Sequence, residues 1–174
     1  MDRVRTANVN VIRFTTSSTE FGQVLLAATQ YGVCAVVLGD SAEELETWLC
    51  GEYESATIAR ADGELNSWMD AVRTELAEQS AGERVPLDVP GTAFQHRVWK
   101  ELRAIPRGET RTYTQVAAAI GSPTAVRAVA RACATNPVSV LTPCHRVVGA
   151  DGSMRGYRWG VARKLALLER ERLG

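Results

Sequence analysis

Histidine is scarce in this 174-residue chain, with only His96 and His145, and the four cysteines Cys34, Cys50, Cys133 and Cys144 include no Cys-x-x-Cys pair. That leaves no ligand set for a metal and no disulfide framework, and it points to a reducing compartment. Long apolar runs are missing as well. Residues 24–38 come nearest and are interrupted by Gln30 and Gly32, so no membrane contact is expected. Met1-Asp2-Arg3 does not open a secretory leader. These absences lead us to expect a soluble cytoplasmic protein without a metal; the chain is also expected to need no cofactor and to act as a monomer.

Net charge is absent only on average. Residues 1–90 hold six arginines and 15 acidic residues, a net −9, whereas residues 91–174 hold 14 basic and five acidic residues, a net +9. A basic surface draws polyanions by long-range attraction and counterion release, which makes the second half a nucleic-acid face. In the plainer reading the basic half pairs with the acidic one. The length suffices for one domain or two small ones without covalent staples. The charge break and the Pro86–Gly91 stretch place an acidic α/β unit at 1–85 and a basic helical unit at 86–174.

In the acidic unit, strands are predicted at 9–14, 25–28 and 33–38 around a Tyr31-Gly32 turn, with no active-site pattern. Ser41 caps a helix to residue 50 with Glu43, Glu44 and Glu46 near its start, where carboxylates favour the helix dipole. A second helix is predicted at 66–79 on a Trp68, Val72, Leu76 stripe. In the basic unit, Thr92 caps a helix that turns Phe94, Val98 and Leu102 inward and ends at Pro106-Arg107-Gly108. Thr112 and Gln115 match a capping box for a helix ending at Gly121, and Ser122-Pro123 start another over 123–134. This is the punctuation of a helix-turn-helix, the second helix carrying Val126, Val129 and Cys133 on one side and Arg127 and Arg131 on another. A last helix, 160–173, is expected to bury Val161, Leu165 and Leu168. Glu171 lies on the flank of that stripe, and two readings stay open: a helix-end charge beside Arg163, Arg170 and Arg172, or a partly buried carboxylate that takes an imidazole as partner.

Pro143-Cys144-His145-Arg146 follows the apolar run Val138-Ser139-Val140-Leu141, read as a strand that breaks into a turn. A free thiol is only a few per cent ionised at neutral pH, so a nearby imidazole that takes its proton raises its nucleophilic fraction.

Together with their companions these residues carry a resemblance. Gly91-Thr92-Ala93-Phe94-Gln95, Val98-Trp99, Ile105-Pro106-Arg107-Gly108-Glu109-Thr110, Tyr113-Thr114-Gln115-Val116-Ala117, Ala125-Val126-Arg127-Ala128-Val129, Asn136-Pro137, Pro143-Cys144-His145-Arg146-Val147-Val148 and Gly156-Tyr157-Arg158-Trp159-Gly160 occur in order. Residues 92–171 resemble the O6-alkylguanine-DNA alkyltransferases, and the whole chain looks like the C-terminal half of Ada-type members. The resemblance implies transfer of an alkyl group from O6 of guanine, and from O4 of thymine, to Cys144, once per molecule. It implies double-stranded DNA bound through the minor groove with the lesion base flipped out. Arg127 would fill the vacated stack, with Thr124, Ala128 and Arg131 against the DNA. Glu171, His145 and a water would deprotonate Cys144, Asn136 would hold the turn, and Tyr113 would serve the purine as charge develops. Val147, Tyr157, Arg158 and Trp159 would line the base pocket. Some members have small residues at the Arg158-Trp159 position, so Trp159 should narrow the pocket and disfavour benzyl-sized adducts. The N-terminal zinc set of some relatives is missing here.

Two other readings remain open at this level. A lesion sensor keeps the fold and lacks the acceptor thiol, against which Cys144 speaks. A thiol hydrolase using Cys144, His145 and Glu171 would leave the basic helices without a purpose.

Overall fold

The chain is described by a computed structural model over residues 11–77, 85–154 and 156–173. The architecture is α/β. β1 (Val11–Thr19), β2 (Gly22–Ala28) and β3 (Val33–Gly39) form an antiparallel meander, and β4 (Thr57–Arg60) adds in parallel to β1, giving the order β3-β2-β1-β4. α1 (Ala42–Glu52) is the crossover between β3 and β4, with the Ser41 hydroxyl accepting from Glu44 N as its cap. α2 (Asn66–Leu76) follows.

Several strand bounds differ from expectation. β1 runs five residues beyond Phe14 because its hydroxyl side chains find partners: Thr15 donates to Asp62, and Ser17 accepts from Arg73. Residues 9 and 10 of the expected strand lie outside the described residues. β4 was not foreseen, being a four-residue edge without alternation. In α2 the buried residues are Met69, Val72 and Leu76, with Trp68 only half-buried, and the helix ends at Leu76; residues 78 and 79 lie outside the described residues.

All seven residues of β3 are buried, as for a strand covered on both faces. One face packs Leu25, Ala35 and Val37 on Leu45 and Leu49 of α1. The other packs Val24, Leu26, Val36 and Leu38 into a core that continues into the second half through Val98, Leu102, Val129 and Val147. The outer edge of β3 is also occupied. Val33 bridges Leu87 in the connecting segment, and Val36 exchanges two hydrogen bonds with the 137–139 loop, Val36 N to Pro137 O at 2.8 Å and Ser139 N to Val36 O at 2.9 Å. Covering an edge this way satisfies its backbone groups.

The second half contains α3 (Ala93–Arg103), β5 (Arg111–Thr112), α4 (Tyr113–Ala119), α5 (Val126–Ala134), β6 (Val147–Val148) and α6 (Val161–Leu173). Thr92 and Thr112 each form the reciprocal capping box with Gln95 and Gln115, typically worth about 1 kcal/mol per cap. α4 ends in a Schellman arrangement around Gly121, whose φ of 70° suits glycine. α5 starts at Val126, later than the expected Pro123: Ser122 O takes Ala125 N in a turn, and no side chain caps the helix.

Candidate active site and nucleic-acid face

The parallel two-residue ladder of β5 on β6 pairs Arg111 with Val147 and Thr112 with Val148. It therefore joins the start of α4, where Tyr113 stands, to the residues that follow Cys144. Cys144–Arg146 itself is a single 3-10 turn, buried at all three positions. The preceding residues are not the strand that was expected. Val138 makes one bridge and residues 139–141 turn, with Val140 at φ 73°. A β-branched residue in that region is strained by about 1–3 kcal/mol and persists only where its surroundings hold it. Asn136 does much of that holding. Its Nδ2 donates to Thr142 O at 2.8 Å and to Cys144 Sγ at 3.2 Å, while its Oδ1 accepts from Val138 N at 3.1 Å.

His145 and Glu171 are both buried, with Nε2 and Oε1 2.7 Å apart. Arg146 binds the same carboxylate, Nε to Oε2 at 3.0 Å and Nη2 to Oε1 at 2.9 Å, and its Nη1 donates to Ile105 O at 2.8 Å. Burial alone would raise the Glu171 pKa, but the bonds from His145 and Arg146 outweigh it and hold the carboxyl near 2. An ionised carboxylate can only accept, so Nε2 of His145 is the protonated ring nitrogen. Burial lowers the His145 pKa and keeps the ring neutral, which leaves a lone pair on Nδ1, an atom with no hydrogen-bond partner among the described residues.

Burial pushes the Cys144 thiol upward, opposed by the Asn136 bond and the charge of Lys164. The thiol is therefore protonated at rest, and reaction requires a base. Tyr113 is half-buried with its pKa raised to about 12, first by burial and then by Cys133 and Cys144, so its hydroxyl stays a donor. A cavity of about 730 Å³ lies behind the loop against Lys100, Arg103, Leu141 and Pro143; Cys144 does not line it.

α6 departs most from expectation. Val161 and Leu165 are 44% and 48% exposed and Leu168 is only partly buried, whereas Lys164, Leu167 and Glu171 face inward. The helix is rotated so that polar residues serve the site. Lys164, 1% exposed, donates from Nζ to Val147 O at 2.5 Å and forms no ion pair with the described residues. Apolar periodicity concealed it. A lysine three residues before Leu167 and seven before Glu171 was the available signal.

Of the expected pocket residues, Val147 and Tyr157 are buried and Arg158 is exposed. Trp159 packs edge-to-face on Trp48 of α1, with centroids 5.5 Å apart, and donates from Nε1 to Ser139 Oγ at 2.5 Å. On α5, Val129, Ala132 and Cys133 are buried and Val126 is half-buried, whereas Arg127, Ala128 and Arg131 are exposed, as is Thr124 just before the helix. Part of the basic charge is neutralised internally: Arg146 meets Glu75, Arg158 meets Glu52, Arg163 meets Asp40 and Arg170 meets Glu20. Arg97, Lys100, Arg127 and Arg131 have no ion-pair partner among the described residues, so the unneutralised charge gathers on α3 and α5.

Residues 93–173 match the model of the 6-O-methylguanine DNA methyltransferase DNA-binding domain. A methylated-DNA–protein-cysteine methyltransferase of Mycobacterium leprae is 44% identical over 119 residues, 68% of each chain.

The chain belongs to the O6-methylguanine-DNA methyltransferase family.

Within the family it is also 46% identical over 160 residues to the Escherichia coli bifunctional transcriptional activator and DNA repair enzyme Ada, covering 92% of this chain and 45% of Ada. The chain thus spans less than half the length of that relative. A crystal structure of Mycobacterium tuberculosis OGT in complex with DNA superposes with a TM-score of 0.75 at 34% identity, over 94% of this chain and 93% of that one. The N-terminal sheet is therefore shared with that structure as well as the helical half.

Proposed function

We propose that this chain repairs DNA by direct reversal, moving a methyl group from O6 of guanine, and from O4 of thymine, onto Cys144 in a single-turnover reaction. The observation that carries this reading is the buried Cys144 thiol held by Asn136 and followed in sequence by a neutral imidazole whose tautomer is set by an ionised carboxylate. The thiol proton passes through a water to Nδ1 of His145, and Glu171 stabilises the imidazolium that forms. The thiolate attacks the methyl carbon in line. The S–C bond forms as the C–O6 bond breaks, the electron pair goes to the purine, and Tyr113 donates to the ring as charge grows. The proton lost by the thiol balances the one the purine finally gains. A thioether has no leaving group here, so each molecule reacts once.

O6 is an atom inside Watson–Crick pairing, and reaction there requires the base to leave the stack. The exposed Arg127, Ala128 and Arg131 of α5, with Thr124, support a helix-turn-helix of α4 and α5 that enters the minor groove as a monomer, Arg127 filling the gap left by the flipped base. Val147, Tyr157, Arg158 and Trp159 form the base pocket in this reading, which also treats 1–85 and 86–174 as two units, the first a scaffold and the second the DNA-binding half. Intact mass after incubation with duplex DNA containing O6-methylguanine tests it. The expected result is a gain of about 14 Da, one methylene, on Cys144, saturating at one per molecule. Tight lesion binding with unchanged mass would make the chain a sensor instead.

A further inference from the structure

We infer that Trp48, on α1 of the acidic half, is a positioning residue that sets the size of alkyl group Cys144 accepts, acting through Trp159. The inference rests on the alkyl-transfer reading above. Segment 156–160 is bounded by Gly156 and Gly160, at φ 71° and 98°, and a Cβ on Gly156 would meet nothing within 4 Å. The next residue, Tyr157, anchors the segment in the core, so the two glycines leave Trp159 to be placed by its own contacts. What fixes Trp159 is a set of contacts to other elements. Its ring stands edge-to-face to Trp48 at an interplanar angle of 86°. The Arg158 guanidinium lies 5.3 Å from the Trp48 centroid and 5.0 Å from that of Trp159, and Glu52 of α1 approaches it at 3.5 Å. Arg163 donates to Trp159 O at 2.9 Å.

The indole N–H reaches Ser139, in the same loop whose Asn136 binds Cys144 Sγ. Ser139 is fully buried and is held by β3 through its backbone. The acidic half therefore grips the thiol loop twice, by β3 along the backbone and by α1 through the two tryptophans. Edge-to-face pairs and cation–π contacts are directional, so they specify where the indole stands as well as that it is buried. Without Trp48, one side of Trp159 loses its support, and in the pocket reading above the indole withdraws from the space that a bulky alkyl group needs.

The test compares single-turnover transfer to Cys144 from oligonucleotides containing O6-methylguanine and O6-benzylguanine, read by intact mass. The chains are the unaltered protein, Trp48→Ala, Trp48→Phe, Trp159→Ala and the double alanine variant. The benzyl-to-methyl rate ratio should rise about fivefold to tenfold in Trp48→Ala, return toward the original in Trp48→Phe, and rise in Trp159→Ala with no further change in the double variant. Equal slowing of both substrates by Trp48→Ala, an unchanged ratio in Trp159→Ala, or the same Trp48 effect in the Trp159→Ala background would overturn the inference while leaving alkyl transfer intact. No mass gain in the unaltered chain with either substrate would overturn the alkyl-transfer reading itself, and this inference with it.

Discussion

Replacing Lys164 with methionine separates stability from reactivity, because the buried ammonium acts on the two with opposite signs. Burial lowers the Lys164 pKa from 10.5, so its charged form is less favourable in the folded chain than in the unfolded one. That cost is absent above about pH 10.5 and complete once pH falls below the folded pKa, so at pH 7 the charge subtracts from stability. Methionine keeps most of the volume and removes the cost, but leaves Val147 O without its lysine donor, a loss of about 1–3 kcal/mol. The two terms offset, and unfolding free energy should move by less than about 2 kcal/mol. Reactivity has no such compensation. A buried unit charge exchanges about 1–2 kcal/mol with a neighbouring thiolate at an effective dielectric near 20, and 1.36 kcal/mol is one pKa unit. Methyl transfer to Cys144 at neutral pH should fall about tenfold, and its rising limb should shift to higher pH by about one unit. Single-turnover rates across pH, with urea unfolding of the same samples, measure both. A stability loss of about 4 kcal/mol with an unmoved pH profile would mean that Lys164 only packs and bonds, and would refute the electrostatic role.

Glu171 should make the fold acid-sensitive in a defined window. With its carboxyl near 2 in the folded chain against 4.5 ordinarily, it contributes about 3 kcal/mol above pH 4.5, lost as pH falls toward 2. A carbon-13 NMR titration of its carboxyl checks this, and a midpoint at 4.5 would show the network to be weaker than its geometry. On α5, Arg131→Ala should weaken binding to undamaged duplex and reduce the slope of log K against log salt by about 1. Arg163→Ala, which removes a guanidinium already bound to Asp40, should leave that slope unchanged; equal effects would remove the case for a surface on α5.

Local signals in the chain were legible because the physics behind them is local. Ser41, Thr92 and Thr112 cap helices, and Gly121 ends one, through backbone groups within four residues. The order of motifs around Pro143-Cys144-His145-Arg146 likewise named the family before any coordinate. Tertiary packing decided what one-dimensional periodicity cannot hold. Residues 138–141 read as a strand, yet β3 and Asn136 supply their hydrogen bonds and force a turn with Val140 at positive φ. The apolar pattern of α6 favoured Val161, Leu165 and Leu168, whereas the site turns Lys164 and Glu171 inward because buried polar groups gain their partners only there. Trp48 and Trp159 stand 111 positions apart and meet only because the sheet brings α1 against the 156–160 segment. By itself the sequence determined which side chains can react and where most helices begin. The partners of those side chains, and hence their protonation and placement, come from distant segments and were decided by the fold.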